Sequence, residues 1–253
     1  MKETLLTVLE NTRLADGIYR LRLAGDTSAI TAPGQFVNLK LSGFFLRRPI
    51  SVCDWENGEV TLIYKVLGHG TEAMTGMAVG TALDVLTGLG NGFDLSRSGE
   101  HPLLVGGGVG IPPLYGLAKR LTAQGKRVTA VLGFNRKSEF FLAEEFRALG
   151  AEVVIATADG SVGLKGLVTD GMAAVSDYTY LYTCGPEPML KAVYADCKTS
   201  GQFSFEERWA AASAPAWAAP ARRNTAISAS VRMAPCWKRR RSYGEHKSDP
   251  LRH

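Results

Sequence analysis

Residues 102–114 read PLLVGGGVGIPPL, and this stretch decides the fold of the second half of the chain. Its first four residues are an apolar run that predicts a buried strand, and residues 106–110 form a glycine loop. Residues 111–121 then show the apolar spacing of a helix, with two prolines in its first turn, where a missing amide hydrogen costs little. Strand, glycine loop and helix in this order are typical of a parallel sheet with helical crossovers.

Downstream of this stretch, strand patterns and helix patterns alternate, as such a sheet requires. The predicted strands are residues 128–132, 153–156 and 180–183, and the predicted helices are residues 139–149, 166–175 and 187–198. We therefore predict an α/β domain with a parallel sheet over residues 100–200.

Upstream, short alternating segments are separated by glycine-rich turns. The predicted strands lie in residues 4–23 (two, joined through Asp16-Gly17), 35–41, 48–52, 60–66 and 82–86, with a short helix at 70–77 and a hairpin signal at Asn57-Gly58. Short strands at this spacing are typical of a small antiparallel barrel. We predict a β-barrel domain over residues 1–99, with the boundary near residues 96–101.

Length and composition allow two globular domains: the chain has 253 residues, of which 45% are hydrophobic and 21% charged. It contains no apolar run of membrane-spanning length, and its first residues lead into a strand pattern rather than a signal peptide. The four cysteines lie far apart, without metal-ligand or disulfide-framework spacing. These features predict a soluble, cytoplasmic protein without a membrane partner.

The net charge of +5 is confined to the end of the chain. Residues 1–208 hold 20 Lys and Arg against 22 Asp and Glu, whereas residues 209–253 hold 9 against 2. Because the body is mildly acidic, the overall charge does not indicate a nucleic-acid partner.

Two glycine-containing motifs fall at the predicted carboxyl edge of the sheet, where ligands of open α/β sheets bind. The loop GGGVG contains Gly106, Gly107, Gly108 and Gly110. Two explanations of it are open: a binding loop for a pyrophosphate at the helix N-terminus, or simply a tight turn. The segment CGPEPM begins with Cys184, Gly185 and Pro186. Cys184 alone is better explained as a small buried apolar residue, whereas its position level with the GGGVG loop supports a functional role.

The predicted barrel carries the stretch LRRPISV at residues 46–52, in which an arginine can meet a phosphate. Tyr64, between Ile63 and Lys65, offers a ring for stacking, and Gly70 and Thr71 offer an amide and a hydroxyl to a phosphate. Taken alone, each of these residues is better explained by a structural role.

As an ordered set, these motifs resemble the ferredoxin-reductase superfamily. They are PGQF (33–36), RRPISV (47–52), IYK (63–65), GHGT (68–71), LGNGF (89–93), LLVGGGVGIPPL (103–114) and CGPEPML (184–190). Within that superfamily, the chain is similar to the electron-transfer subunits of NAD-dependent, heteromeric dihydroorotate dehydrogenases. The resemblance covers about residues 1–208.

The resemblance implies an FAD-containing oxidoreductase subunit of pyrimidine biosynthesis. The residues that stand where the family contacts FAD are Arg48, Pro49, Ile50, Ser51, Ile63, Tyr64, Lys65, Gly70 and Thr71. Those where NAD(H) docks are Gly106, Gly107, Gly108, Gly110, Cys184, Gly185 and Pro186. In the family, an FMN-containing dihydroorotate dehydrogenase subunit, assembled with this subunit as a heterotetramer, passes electrons through a 2Fe-2S cluster to FAD and then to NAD+.

The tail departs from the family, which has the pattern MxCGxGxCxxCxC and then CxDGPV, four of whose cysteines hold the cluster. Residues 209–221 read WAAASAPAWAAPA, without a cysteine, so no residue here is assigned to a metal. Residues 201–253 thus stand in place of the family's cluster domain, and no hydrophobic period follows Arg208. We expect a disordered or non-native tail.

The genetic code offers an explanation. Trp and Met codons end in G and Ala codons begin with GC, so a frame starting one nucleotide earlier reads glycine across Trp209/Ala210, Trp217/Ala218 and Met233/Ala234. Permitted codon choices then give MGCGFGACMGCSC and CPDGPV. We hypothesise a frameshift before the codon of Trp209; a genuine, divergent basic tail is the alternative.

Three questions stay open at this stage. The chain could serve a related NAD(P)H:ferredoxin, sulfide or hydrogenase system, or be a flavin-binding module without a cluster and without onward electron transfer. Arg136 and Lys137, after a predicted strand, could hold the extra phosphate of NADP or be solvated charges.

Overall fold

The computed structural model describes residues 1–205 and the backbone of residues 230–234, which form a closed barrel and a seven-stranded sheet. The barrel consists of β1 (Lys2–Ala15), β2 (Ile18–Gly25), β3 (Phe36–Leu39), β4 (Arg48–Glu56), β5 (Glu59–Lys65) and β6 (Ala82–Leu89). Its strands pair in the order β1-β2-β5-β4-β3-β6, all antiparallel. The predicted antiparallel barrel is confirmed.

Turn residues explain how the barrel strands are joined. Between β4 and β5, Asn57 and Gly58 have φ angles of 51° and 79°. Two successive residues with positive φ match the twist of a hairpin, and Asn-Gly is the sequence that adopts them at least cost. The hairpin predicted at this dipeptide is therefore present.

The barrel interior is filled by aliphatic side chains from all six strands, among them Leu6, Leu21, Val37, Val52, Leu62 and Val85, each at most 1% exposed. Helix α1 (His69–Thr75) packs against the barrel through Met74. Asn11 of β1 holds the end of α1, because its Nδ2 donates to the carbonyl of Met74 at 2.8 Å. This contact fixes the helix that begins within the GHGT segment.

The sheet consists of β7 (Pro102–Gly107), β8 (Thr129–Phe134), β9 (Glu152–Thr157), β10 (Leu164–Lys165), β11 (Tyr180–Cys184), β12 (Gly201–Phe205) and β13 (Ser230–Ala234). The order is β10-β9-β8-β7-β11-β12-β13, parallel throughout except for β13, which runs antiparallel to β12. The helices are α2 (Ile111–Ala123), α3 (Ala143–Ala148), α4 (Val168–Ala173) and α5 (Glu187–Asp196).

Helices cover both faces of the sheet. Leu104 and Leu132 pack with Leu117 of α2 and Phe146 of α3 in one cluster. The neighbouring strand positions pack on the opposite face in a second cluster with α4 and α5, through residues such as Leu103, Val105, Val131, Met172 and Val193. This arrangement is the predicted α/β domain.

Two local predictions need correction. The helix predicted over residues 139–149 begins only at Ala143, because Leu142 adopts φ 64° and interrupts it, and Lys137–Glu139 form a separate 3-10 turn. Strand β10 was not predicted, since two residues give no period to recognise.

The expectation of disorder after Arg208 concerns residues that lie mostly outside the described ones. Within that region the backbone of β13 pairs with β12, from Gly201 opposite Ala234 to Phe205 opposite Ser230. The expectation is thus wrong for these five residues. The sequence signal was the alternation of Ser230, Val231, Arg232 and Met233, and the physical reason is the open hydrogen-bonding edge that β12 would otherwise present.

The barrel and the sheet share an apolar interface. Ile18, Cys53 and Ile63 of the barrel lie in the same buried cluster as Leu114 and Leu117 of α2. The relative position of the two units is therefore set by close packing rather than by the connection between them alone.

Candidate functional site

A cavity of 1250 Å³ opens at the carboxyl ends of β7, β8, β9 and β11. Its walls come from residues 107–110, 133–135, 166–169 and 185–190, and from Lys65 and Leu67 of the barrel. Pockets for ordinary small ligands measure roughly 300–1,000 Å³, so this cavity has room for a larger, extended molecule. It lies where open α/β sheets bind ligands.

The glycine loop forms one wall of this cavity, and two of its glycines have no space for a side chain. A Cβ on Gly107 would lie 2.6 Å from the sulfur of Met189, and one on Gly110 would lie 2.7 Å from the Cα of Gly185. Gly108 adopts φ +52°, which side chains disfavour. Apart from Val109, the loop therefore presents bare backbone to the cavity, and it touches the segment after β11.

That segment holds the second predicted motif in register with the first. Cys184 is paired with Gly106 across the parallel strands β11 and β7, so both motifs end at the same level of the sheet. The Cys184 side chain is buried, at 1% exposure, whereas Pro186 is exposed and lines the cavity before α5 begins. The structure thus brings all the predicted nicotinamide-site residues to one edge.

The predicted flavin-contact residues lie on β4, β5 and α1, on the barrel side of the same region. Ile50 and Val52 pack toward the barrel core, so Pro49 and Ser51, which alternate with them, lie on the outer face of β4. On β5, Ile63 packs with the sheet cluster and Lys65 reaches the cavity. Lys65 therefore brings the end of the outer face of β5, the strand beside β4, to the cavity.

Tyr64 points the other way. Its side chain is 2% exposed in the barrel core, where its ring stacks on Tyr19 with centroids 5.7 Å apart and its hydroxyl donates to Asn11 Oδ1 at 3.2 Å. Burial raises the pKa of this hydroxyl above its ordinary value. The ring of Tyr64 does not reach the outer face, so it is not available there for stacking.

Arg48 links β4 to α1. Its guanidinium lies 4.9 Å from the centre of the Phe44 ring, and it occupies the space that a Cβ on Gly70 would need. Arg48 is thus held over the start of α1 without a carboxylate among the hydrogen-bond partners described for it. A cation in this position, beside the bare backbone of Gly70, suits an anionic group.

Arg47, the neighbouring arginine of the motif, has a structural role instead. It donates to both carboxylate oxygens of Asp84 at 3.0 Å and to Glu3 at 2.8 Å. These hydrogen bonds from Arg47 hold the pKa of Asp84 below its ordinary value. The hydroxyl of Thr71 is also engaged locally, because it donates to the carbonyl of Gly68 and accepts from the amide of Leu67.

Sequence reasoning missed several residues that line the cavity. Glu139 accepts a hydrogen bond from Lys65 at 3.5 Å and from Asn135 at 3.0 Å, and it pairs with Arg136 at 3.3 Å. Val168 packs directly over Gly133. The available signal was position, since each of these residues follows the carboxyl end of a strand or begins the next helix.

Within residues 1–205 and 230–234, no helix has the length and apolar character needed to cross a membrane. The same part of the chain holds no cluster of three or more His, Cys, Asp or Glu side chains suited to a metal ion.

Comparisons with known proteins agree with this geometry. The family model described as "Oxidoreductase NAD-binding domain" matches residues 104–195. The chain is 45% identical, over 217 residues, to the "Dihydroorotate dehydrogenase B (NAD(+)), electron transfer subunit" of Shouchella clausii, covering 82% of this chain and 83% of that protein. The protein of the same name from Geobacillus sp. is 47% identical over 203 residues, covering 76% of this chain and 78% of its own.

Among solved structures, the chain resembles an NADH-dependent reduced ferredoxin-NADP oxidoreductase with a TM-score of 0.74 and 28% identity, covering 85% of this chain and 81% of the other. A ferredoxin NADP+ reductase from Neisseria gonorrhoeae, solved with FAD and NADP, has the same fold with a TM-score of 0.67 at 17% identity, covering 77% and 89%.

Proposed function

This chain belongs to the family of electron-transfer subunits of dihydroorotate dehydrogenase B (NAD(+)), and we propose that it transfers electrons between a flavin on its barrel and NAD at its sheet edge. As a member, it is an oxidoreductase subunit. The single observation that carries the proposal is that Lys65 brings the outer face of β5, the strand beside β4, to the cavity at the glycine loop. A flavin and a nicotinamide bound at these two places would be neighbours.

The residues present fit FAD on the barrel. Arg48 and the backbone at Gly70 would hold its diphosphate, and the outer face of β4 at Pro49 and Ser51 would support its ring. Ile63 is 3% exposed and would contribute through its backbone. Tyr64 would contribute through its backbone, because its side chain is buried. A bound FAD supplies the conversion between two-electron transfer with a nicotinamide and one-electron transfer with an iron–sulfur partner.

The residues at the sheet edge fit a dinucleotide. Gly107, Gly108 and Gly110 would let the backbone approach a pyrophosphate, next to the start of α2. Cys184, Gly185 and Pro186 would support the nicotinamide. The pairing of Arg136 with Glu139 leaves this arginine less available to a 2′-phosphate, which favours NAD over NADP.

The experiment is anaerobic reduction of the purified, FAD-loaded chain by NADH, compared with NADPH. The proposal expects the flavin absorbance to bleach with NADH at rates well above those with NADPH. A chain that retains no FAD when FAD is supplied throughout purification, or whose flavin NADH does not reduce, contradicts it.

A catalytic partner is implied by the family's name for its members, and we propose that the partner is an FMN-containing dihydroorotate dehydrogenase subunit in a heterotetramer in the cytoplasm. Co-expression with the subunit encoded beside it, followed by measurement of dihydroorotate-dependent NAD+ reduction, tests this assignment. A neighbouring gene for a ferredoxin, sulfide or hydrogenase system would favour the related alternative, as would activity with that partner alone.

We also propose that residues 1–99 form the flavin-binding unit, that residues 100–200 form the NAD-binding unit, and that the tail from residue 209 is read in a shifted frame. The tail lies outside the described residues, apart from the backbone of β13. As written, residues 209–221 contain no cysteine, so they cannot supply the ligands of a 2Fe-2S cluster. Resequencing the codons before Trp209 tests the frame, and an intact alanine frame in a functional protein would refute it.

If the tail is genuine, the chain would be a flavin module without a cluster. Its absorbance would then show flavin bands alone, and its NADH oxidation would need an artificial acceptor.

A further inference from the structure

The strand that carries Arg48–Ser51 and the helix that follows the glycine loop touch each other through their backbones. A Cβ on Gly116 of α2 would lie 2.6 Å from the carbonyl oxygen of Cys53 on β4, well inside van der Waals contact. Glycine is an unfavourable residue in a helix interior, so its presence here is explained by the close approach it permits. No side chain stands between the two elements at this point.

Polar and aromatic contacts hold the same two elements together in the turn of α2 that follows Gly116. Lys119 donates to Asp54 and to Glu56, both at 2.8 Å. The guanidinium of Arg120 lies 3.5 Å from the centre of the Trp55 ring. Because residues three and four apart share one face of a helix, Gly116, Lys119 and Arg120 together dock on four successive residues of β4.

Both contact points lie close to the proposed binding segments. Gly116 is five residues after Ile111, where α2 begins, which corresponds to about 7.5 Å along a helix. Cys53 is two residues after Ser51, which corresponds to about 7 Å along a strand. A displacement of α2 at this contact would therefore move the glycine loop by nearly the same distance relative to the proposed flavin face of β4.

We propose that the Gly116–Cys53 contact sets the distance between the flavin ring and the nicotinamide, which makes Gly116 a positioning residue for hydride transfer. The inference rests on the proposed function. In the tested direction, NADH gives up a hydride, carrying two electrons and a proton, to the flavin and leaves as NAD+. Hydride transfer needs reacting atoms about 3–3.5 Å apart, and a misplacement of about 1 Å can cost roughly 100-fold in rate.

The test is the substitution Gly116→Ala in the full chain, loaded with FAD. A methyl group at 2.6 Å from the Cys53 oxygen must move away to about 3.4 Å, so α2 and β4 separate by about 0.8 Å. We expect the limiting rate of flavin reduction per bound FAD, measured by anaerobic stopped flow at saturating NADH, to fall roughly 10- to 100-fold. The dissociation constant for NADH should change little, because the glycine loop itself is unaltered.

The matched control is Gly76→Ala, at a position with an ordinary φ of −89° where the nearest atom to a new Cβ lies 3.8 Å away. This variant should reduce its flavin at the wild-type rate. A merely structural role for Gly116 would lower thermal stability or FAD content but leave the rate per bound FAD unchanged. A limiting rate in Gly116→Ala within about twofold of wild type overturns the inference.

Should Gly116→Ala lose FAD during purification, the same measurement is made on this variant with free FAD present in excess, and the limiting rate is again taken per bound FAD. A slower limiting reduction at unchanged NADH affinity supports the inference, and an unaltered rate overturns it. A wild-type chain whose flavin NADH does not reduce overturns the proposed function itself. The two failures are therefore distinguishable.

Discussion

Gly110 is the residue at which the glycine loop contacts the segment after β11, the two halves of the proposed nicotinamide site, and Gly110→Ala should separate them. The new methyl carbon would lie 2.5 Å from the carbonyl carbon of Cys184 and 2.7 Å from the Cα of Gly185. Both are backbone atoms, so no side-chain rotation can relieve the overlap. The backbone φ at Gly110 is −77°, which alanine adopts freely, so the expected effect is purely steric.

The size of the effect follows from the overlap. Carbon atoms in ordinary contact stand at least 3.4 Å apart, so the loop and the segment after β11 must move about 0.7 Å or more from each other. Overpacking of this kind typically costs about 1–3 kcal/mol. For a chain of this size, a loss of about 2 kcal/mol lowers the melting temperature by roughly 4–8 °C.

The same movement should weaken NADH binding. The glycine loop, proposed to bind the pyrophosphate, and the segment after β11, proposed to support the nicotinamide, would no longer stand at the spacing that one ligand can bridge. A loss of about 1.4 kcal/mol corresponds to a tenfold higher dissociation constant. FAD content should stay at the wild-type level, because the barrel face is not touched.

Thermal unfolding by circular dichroism and titration with NADH under anaerobic conditions measure the two effects. Gly76→Ala again serves as the control, since it adds the same methyl group without a close neighbour. A Gly110→Ala variant with both its melting temperature and its NADH affinity unchanged would refute the tight contact between the two segments.

Three further outcomes are expected. Arg48→Ala should lose FAD during purification, whereas Arg48→Lys should keep part of it, because lysine retains the positive charge that meets a phosphate and alanine removes it. Full FAD content in the alanine variant would argue against a phosphate-binding role for Arg48. Asp84→Asn should lower stability by about 1 kcal/mol at neutral pH, since Arg47 holds the pKa of Asp84 below its ordinary value. A carboxylate with a lower pKa in the folded state stabilises the fold at pH values above its unfolded-state pKa, and this stabilisation is lost as the pH falls through its folded-state pKa. In urea unfolding, the free energies of unfolding of the two proteins should therefore converge in acid. A constant difference between them would contradict this. Burial raises the pKa of the Cys53 thiol, so peptide mapping after iodoacetamide treatment should find Cys53 alkylated only once the chain is unfolded; rapid native labelling would contradict its place in the interface.

The features that sequence predicted well are those set by a few adjacent residues. Asn57-Gly58 makes its hairpin because this dipeptide tolerates two positive φ angles, whatever surrounds it. The glycine loop after β7 is recognisable for the same reason, since its backbone conformation and its lack of side chains are local properties. Such local signals also predicted the order of the strands along the chain, and that the first group forms an antiparallel barrel and the second a parallel sheet.

The features that sequence could not decide depend on partners far away along the chain. Arg47 and Arg48 are adjacent and chemically identical, yet Arg47 donates hydrogen bonds to Asp84 on β6, whereas Arg48 lies over Gly70. Tyr64 looked suited to stacking on a ligand ring, but the alternation of β5 turns it inward onto Tyr19. Which side of a strand faces a ligand is fixed by strand register and packing, and neither is written in the motif itself.

The relation between the two proposed sites is also a long-range property. Motifs in the first and second halves of the chain each indicate a ligand, but neither gives the distance between the ligands. That distance depends on Gly116 meeting the backbone of Cys53 and on Lys65 reaching Glu139, contacts that join residues 63 and 74 positions apart in sequence. Since a hydride moves only between atoms almost in contact, the packing of α2 on β4 carries as much of the proposed function as the binding motifs do.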